Sequence, residues 1–410
     1  MPPPRRPLYG VPVPLTVREL TPDELTDAWQ LGRLAFGSAP QPPAHATAPA
    51  PGMTRYGAFD DTGRLVGRAV DLHHDQWWHG RRVPAADVAG VAVAPEARGR
   101  GIARALLTTL LRGAHERGAA ISALYPTVAA PYRACGWEVT GALRVLDLPT
   151  LALPRHRPAA HLTVRPGGPT DLPAVTDLYT QVVAHRAGPL TRDGALYDHF
   201  AALRAADDLG HDGLTLVEHD GRLVGYASYD RGRGYHSDAI LTLGDVLATT
   251  ADAARELLGV LRGWASVTPT LRICPLPGDA VTAQLPLDAA RDHSRDIFMH
   301  RPVDLAAALT SRGWPAHARG TVDFAVDDDL APWNTGAWHL DVADGHAQVT
   351  AATTDPALRL TPRGFALLHA GAADARTVAQ AGLLHHPPGH DPRALDLLTA
   401  GGPAQLLDYF

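Results

Sequence analysis

Cysteine is nearly absent from this 410-residue sequence, which carries only Cys135 and Cys274. Two isolated thiols give neither a disulfide framework nor a zinc spacing, so a reducing compartment, the cytoplasm, is the expected location. Long apolar runs are missing too, and no stretch of about 18 residues could cross a bilayer. No basic block stands out: 37 basic residues face 43 acidic ones, a formal net charge of −6. Neither nucleic acid nor a membrane is therefore an expected partner. The proline-rich start, Met1 to Pro14, lacks an apolar core segment and reads as a disordered tail (residues 1–14), not a signal peptide.

Hydrophobic residues make up 45% of the chain and charged residues 20%, as in an ordinary globular protein. The length suits roughly two to four domains. An internal repeat organises the first three hundred positions. Leu15-Thr16-Val17-Arg18 recurs as Leu162-Thr163-Val164-Arg165, and Gly63-Arg64-Leu65-Val66-Gly67 recurs as Gly221-Arg222-Leu223-Val224-Gly225. Each copy reads as a strand, a helix and a hairpin with an Asp/Gly turn. The copies span 15–150 and 161–300, with a proline-rich linker from Leu148 to Pro158. From 301 to 410 the pattern changes to short antiparallel strands and helices, a separate α+β domain.

The strongest single signal lies in the first copy. Asp87 to Ala94 is apolar and β-branched, a buried strand ended by Pro95. Ile102 to Gly118 reads as a helix with an apolar stripe of Ile102, Ala103, Leu106, Leu107, Leu110 and Ala114. Between them stands Arg98-Gly99-Arg100-Gly101. A pyrophosphate needs several donors aimed at one point, and a helix's first turn offers unpaired N–H groups and the positive end of its dipole. Gly99 and Gly101 leave room for close approach, while Arg98 and Arg100 add charge-assisted bonds. The second copy has Leu247-Ala248-Thr249-Thr250 here, without Arg or Gly. No Lys-Ser/Thr follows Gly101, which excludes a Walker loop.

Arg98-x-x-Gly101-x-Ala103 resembles the signature of the GNAT acetyltransferase superfamily. That resemblance implies acetyl-CoA as cosubstrate and no metal. It implies that Val91, Ala92 and Val93 line the acetyl end and that Gly99, Arg100, Gly101, Ile102, Ala103 and Arg104 hold the pyrophosphate. Thr127 and Val128 would also touch the cofactor. In the same family a tyrosine in the segment matching Tyr132 to Trp137 lies beside the coenzyme sulfur, which makes Tyr132 the candidate proton donor to the departing thiolate.

The whole arrangement is more specific. Two GNAT units, the second without the Arg/Gly loop, precede a domain with Arg301-Pro302-Val303-Asp304, Trp333-Asn334-x-Gly336 and the ending Asp408-Tyr409-Phe410. This resembles the Eis acetyltransferases, which acetylate several positions of aminoglycosides and assemble as hexamers. The resemblance implies a mixed α/β (α+β) chain: an N-terminal catalytic GNAT domain, a degenerate second one, and a sterol-carrier-protein-like third domain. It also implies that the terminal carboxylate, here that of Phe410, enters the first unit as general base. A carboxylate with a pKa of about 3.5 is a weak base for an ammonium, although neighbouring cations in a polyamine depress one another's pKa. Phe36-Gly37-Ser38 and Tyr409 stand where relatives can carry acids, so strong aminoglycoside binding does not follow from the resemblance. A small cationic amine and a homohexamer are the expected partners. Rival readings are acetylation of protein lysines and lipid carriage by the third domain. Cys135 reads as a structural thiol, His385, His386 and His390 as loop residues, and His73-His74 as a strand or pocket wall.

Overall fold

A computed structural model describes residues 15–38, 40–202 and 211–410, without the side chains of residues 44, 45 and 200–202. The expected tail at 1–14 lies outside the described residues. The first unit runs β1 (Thr16–Glu19), α1 (Leu25–Phe36), β2 (Met53–Phe59), β3 (Leu65–Trp78), β4 (Arg81–Val93), α2 (Ile102–Glu116), β5 (Ile121–Leu124), α3 (Ala129–Arg133) and β6 (Glu138–Pro149). The second runs β7 (Leu162–Pro166), α4 (Leu172–Val183), β8 (Ala187–Leu190), α5 (Ala195–Ala202), β9 (Gly213–His219), β10 (Arg222–Asp230), β11 (Ile240–Ala248), α6 (Ala251–Arg262), β12 (Thr270–Ile273) and β13 (Arg291–Pro302). The third has α7 (Leu305–Ser311), β14 (Gly320–Val326), β15 (Gly336–Ala343), β16 (His346–Ala351), β17 (Arg359–Leu360), α8 (Pro362–His369), α9 (Ala375–Gln380) and β18 (Leu384–His385).

The repeat extends to local chemistry. Arg18 pairs with Glu24 at 2.6 Å where each unit's first helix begins, and Arg165 pairs with Asp171 at 2.8 Å. Each carboxylate also accepts from a backbone N–H three residues earlier, which caps the turn leading into the helix.

The two units share one sheet, ordered β1-β2-β3-β4-β5-β13-β6-β12-β11-β10-β9-β7. β13, from the second half, lies between β5 and β6 of the first, and β6 in turn pairs with β12. The sequence boundaries at 150 and 300 therefore fall inside an exchange of strands. The segment read as a linker begins within it: Leu148 is fully buried and faces Leu271 across the sheet. Proline at 149 and 154 suggests a loop, but only after β6 has completed its ladder. The core of the first unit forms where α2 lays Ile102, Leu106, Leu107, Leu110, Leu111 and Ala114 on the sheet. Each fully buried leucine contributes about 1.5–3 kcal/mol.

The third domain carries its own sheet, β16-β15-β14-β17-β18, over a core that includes Phe324, Leu340, Phe365 and Leu395. One buried ion pair ties it to the first unit. Arg301, at the end of β13, forks onto both oxygens of Asp328 at 2.6 and 2.7 Å and also donates to the Cys135 carbonyl. The two side chains are only 1% and 2% exposed. Removing one partner strands a desolvated charge, so Arg301→Met is expected to cost about 3–5 kcal/mol of unfolding free energy, measured by denaturant titration.

Candidate active site

The site begins where two parallel strands part. β4 pairs with β5 at Ala85↔Ile121 and Val88↔Leu124, then runs on to Val93 while β5 ends. Just past the split, β4 carries one extra residue between Ala89 and Ala92 opposite Arg68 and Val70 of β3. Gly90, in this bulge, has φ 56°, a left-handed conformation suited to glycine. The bulge shifts Val91 to Val93 by one residue in register against β3. Of these three, Ala92 buries its side chain in the core, so only its backbone is available to a ligand. Val91 and Val93 remain partly exposed.

A 3₁₀ turn at Pro95–Ala97 leads into the glycine loop. Gly99 and Gly101 both have φ 77°, and a Cβ built on either meets nothing within 4 Å. Both positions need glycine for the backbone, and the space beside them is open. Gly101 precedes α2 without any side-chain cap. The first-turn N–H groups are thus left for an anion. Arg98 and Arg100 are exposed next to them; Arg98 donates weakly to the Val93 carbonyl at 3.4 Å, and Arg104 donates to the Ala134 carbonyl at 2.9 Å. Val128 is 61% exposed, an apolar surface at the end of β5 that a pantetheine arm would cover. Thr127 is exposed beside it. These residues fit coenzyme A. Arg100→Ala is expected to raise KM for acetyl-CoA about tenfold and to leave kcat unchanged at saturation, as steady-state kinetics would show.

The second unit keeps the parted strands and the bulge but not the anion site. β11 pairs with β12 only from Ile240 to Thr242, and its extra residue lies at Gly244-Asp245, matching Gly90-Val91. There α6 is capped: the Thr250 side chain accepts from the Ala253 N–H. A first-turn donor is consumed, and no arginine stands in its loop.

Tyr132, on α3, is partly buried and meets Trp137 edge-on at 6.5 Å. Its hydroxyl has no hydrogen-bond partner among the described residues. Burial, with Cys135 close by, pushes the phenol up to about 12. It therefore stays protonated across the working pH range, and it can donate but not act as a base. A thiol titrates near 8.5, so complete transfer to a free thiolate is uphill. The hydrogen bond strengthens as charge grows on sulfur, and that is where it helps. Cys135 is buried with its thiol pushed up by burial, a poor nucleophile.

The last residues of the chain pack against the first unit beside β3 and just past the end of β5. Phe410 packs against a buried cluster of Val70, Leu72 and Leu196, to which Met53 and Ala89 also attach. It touches Tyr125 edge-on at 5.2 Å and His74 at 5.6 Å. Tyr125 donates to the Asp408 carbonyl at 2.9 Å, and its ring lies 4.5 Å from that of Tyr409 at a tilt of 31°. Next to this tail lies a cavity of about 670 Å³, lined by Tyr179, Arg192, Tyr197, Tyr226, Asp245 and Asp408, among others. Arg192 bridges Asp245 and Asp408, yet Asp408 Oδ2 is buried without a hydrogen-bond partner.

Two further groups escaped the sequence reading. Arg68 lies against Gly32 of α1 and Gly90, where a Cβ would come within 2.5 and 2.7 Å of its guanidinium. It donates to the Ala28 carbonyl, and no carboxylate pairs with it among the described residues. Burial, with Arg55 close by, lowers its pKa to about 10, so it remains a cation. Asp87 is fully buried and accepts from His74 at 2.9 Å, from Gln76 at 3.1 Å and from the Ala123 N–H at 3.2 Å. Alternation along β3 sets Arg68, Val70, Leu72, His74 and Gln76 on one face. That pattern is visible in the sequence, but the diagonal partner on β4 depends on register.

Residues 16–140 match the acetyltransferase (GNAT) domain family, and residues 305–405 match the sterol carrier protein domain family. An uncharacterized N-acetyltransferase of Streptomyces avermitilis is 27% identical over 74% of this chain and 76% of its own. The N-acetyltransferase Eis of Mycobacterium tuberculosis is 27% identical over 78% of each chain. A crystal structure of a GCN5-related N-acetyltransferase from Kribbella flavida superposes with a TM-score of 0.81 at 28% identity, covering 97% of this chain and 99% of that one. With the parted strands, the uncapped helix and the glycine loop in place, residues 16–140 form a GNAT acetyltransferase domain, and the chain is an N-acetyltransferase similar to the Eis proteins.

Proposed function

We propose that the chain transfers acetyl groups to the amines of aminoglycosides or similar cationic polyamines. The amine attacks the thioester directly, Tyr132 supplies a proton to the departing thiolate, and the terminal carboxylate of Phe410 draws in the ammonium and serves as base. One observation supports this reading: Phe410 packs against the Val70, Leu72 and Leu196 cluster and meets Tyr125, which follows β5 directly. The carboxylate of that residue would then face the same opening as the thioester.

Charge supports a cationic acceptor and its direction of approach. Asp408 Oδ2 is buried without a partner beside the cavity, a ready acceptor for an ammonium. Arg68, unpaired on the α1 side, repels a cation there. The acceptor accordingly occupies the cavity beside the tail and offers one amine at a time to the thioester. Assembly as a homohexamer belongs to the same proposal and rests on the family resemblance; sedimentation of the pure protein tests it. The function is tested by thioester consumption with a panel of aminoglycosides, linear polyamines and lysine peptides. Turnover on the first two classes is expected. Turnover confined to peptides would favour lysine acetylation, and none on any amine would favour a lipid carrier.

A further inference from the structure

We propose that His74, held by Asp87, is a catalytic residue on the acceptor side and takes the proton that the ammonium must lose before attack. This rests on the proposed amine acetylation and reassigns one step of it. The terminal carboxylate would orient the ammonium, and the imidazole would deprotonate it.

The geometry supports a built device. Asp87 is fully buried, and its carboxylate is saturated by His74, Gln76 and a backbone N–H. Such a carboxylate serves as a fixed acceptor. Because Asp87 can only accept, the His74 ring carries its proton on Nδ1 and leaves Nε2 as the free base. The His74 side chain is 17% exposed, and its ring meets Phe410 at 5.6 Å, so Nε2 belongs to the pocket that the last residue enters. A histidine base suits neutral pH far better than a carboxylate does.

The protons balance as follows. The ammonium gives one proton to Nε2, and Asp87 stabilises the resulting imidazolium. The nitrogen lone pair forms the C–N bond to the thioester carbonyl. As the adduct collapses, the C–S bond breaks, the nitrogen loses its second proton to water, and the thiolate takes the Tyr132 proton. The phenolate regains a proton from water, and the imidazolium releases its own to solvent. The net products are the amide, free thiol and one proton.

Asp87 on β4 bonds His74 directly, Asp71 and His73 neighbour it on the other face of its own strand β3, and the Phe410 ring meets it from the tail. His73 is held below its ordinary range, at about 4, by burial, with Arg117 and His74 adding repulsion, so it does not titrate near neutrality.

The test compares wild type with His74→Gln, reading kcat/KM for the amine from pH 5.5 to about 9 and the acetyl-CoA Kd by calorimetry. His74→Gln is expected to lower kcat/KM about 100-fold, to remove the ascending limb of the wild-type pH profile, and to leave the acetyl-CoA Kd within about twofold. Imidazole added to His74→Ala should restore part of the rate. A limb that persists unchanged in His74→Gln overturns the assignment. A wild-type enzyme with no turnover on any amine would instead sink the proposed function, so the two failures are distinct.

Discussion

Replacing Tyr132 with phenylalanine is expected to lower kcat by about 10²–10⁴-fold, with the KM for acetyl-CoA nearly unchanged. Deleting one hydroxyl leaves the ring against Trp137, so the fold should persist. On the proposed mechanism the effect is large because the departing thiolate loses a donor whose hydroxyl has no other partner among the described residues. Burial raises the phenol to about 12, which also fixes a pH signature. The acid form dominates at neutral and mildly alkaline pH, so Tyr132 contributes no falling limb there. Equal losses in kcat and in acetyl-CoA affinity would show a packing role instead.

Appending residues after Phe410 is expected to abolish turnover, by about 100-fold or more, while near-UV circular dichroism and the melting temperature stay as in wild type. The extension removes the free carboxylate and adds chain beside the cluster of Val70, Leu72 and Leu196. The anchors of the tail lie upstream: Leu406 is buried beside Ala123 and Phe298, and Arg192 holds Asp408. Those contacts survive the extension, so loss of activity would report on the terminus itself. An extended chain with wild-type turnover would remove Phe410 from the mechanism.

Much of the first unit is legible in the sequence because its signals are local. The run from Asp87 to Pro95, the Arg98 to Gly101 loop and the stripe on Ile102 to Ala114 lie within thirty positions, and the fold keeps them in that order. The exchange of β13 into the first unit is not legible, since pairing of Met299 with Leu124 and Val139 depends on contacts far apart in sequence. The same holds for His74 with Asp87. The strand alternation marks the face, but only the register across the hairpin, with Leu72 opposite Asp87, brings the two side chains together. The repeat is visible as short identical strings, whereas its functional asymmetry is structural: Thr250 caps α6, and nothing caps α2.

A crystal structure with coenzyme A and a polyamine tests most directly whether the thioester and the end of the chain meet in the first unit. The expected result has the pyrophosphate on the N–H groups following Gly101, the sulfur between β4 and β5 within about 3.5 Å of the Tyr132 hydroxyl, and the Phe410 carboxylate facing the amine. Coenzyme A bound at the parting of β11 and β12, or a Phe410 carboxylate turned to solvent with the amine held elsewhere, would contradict it.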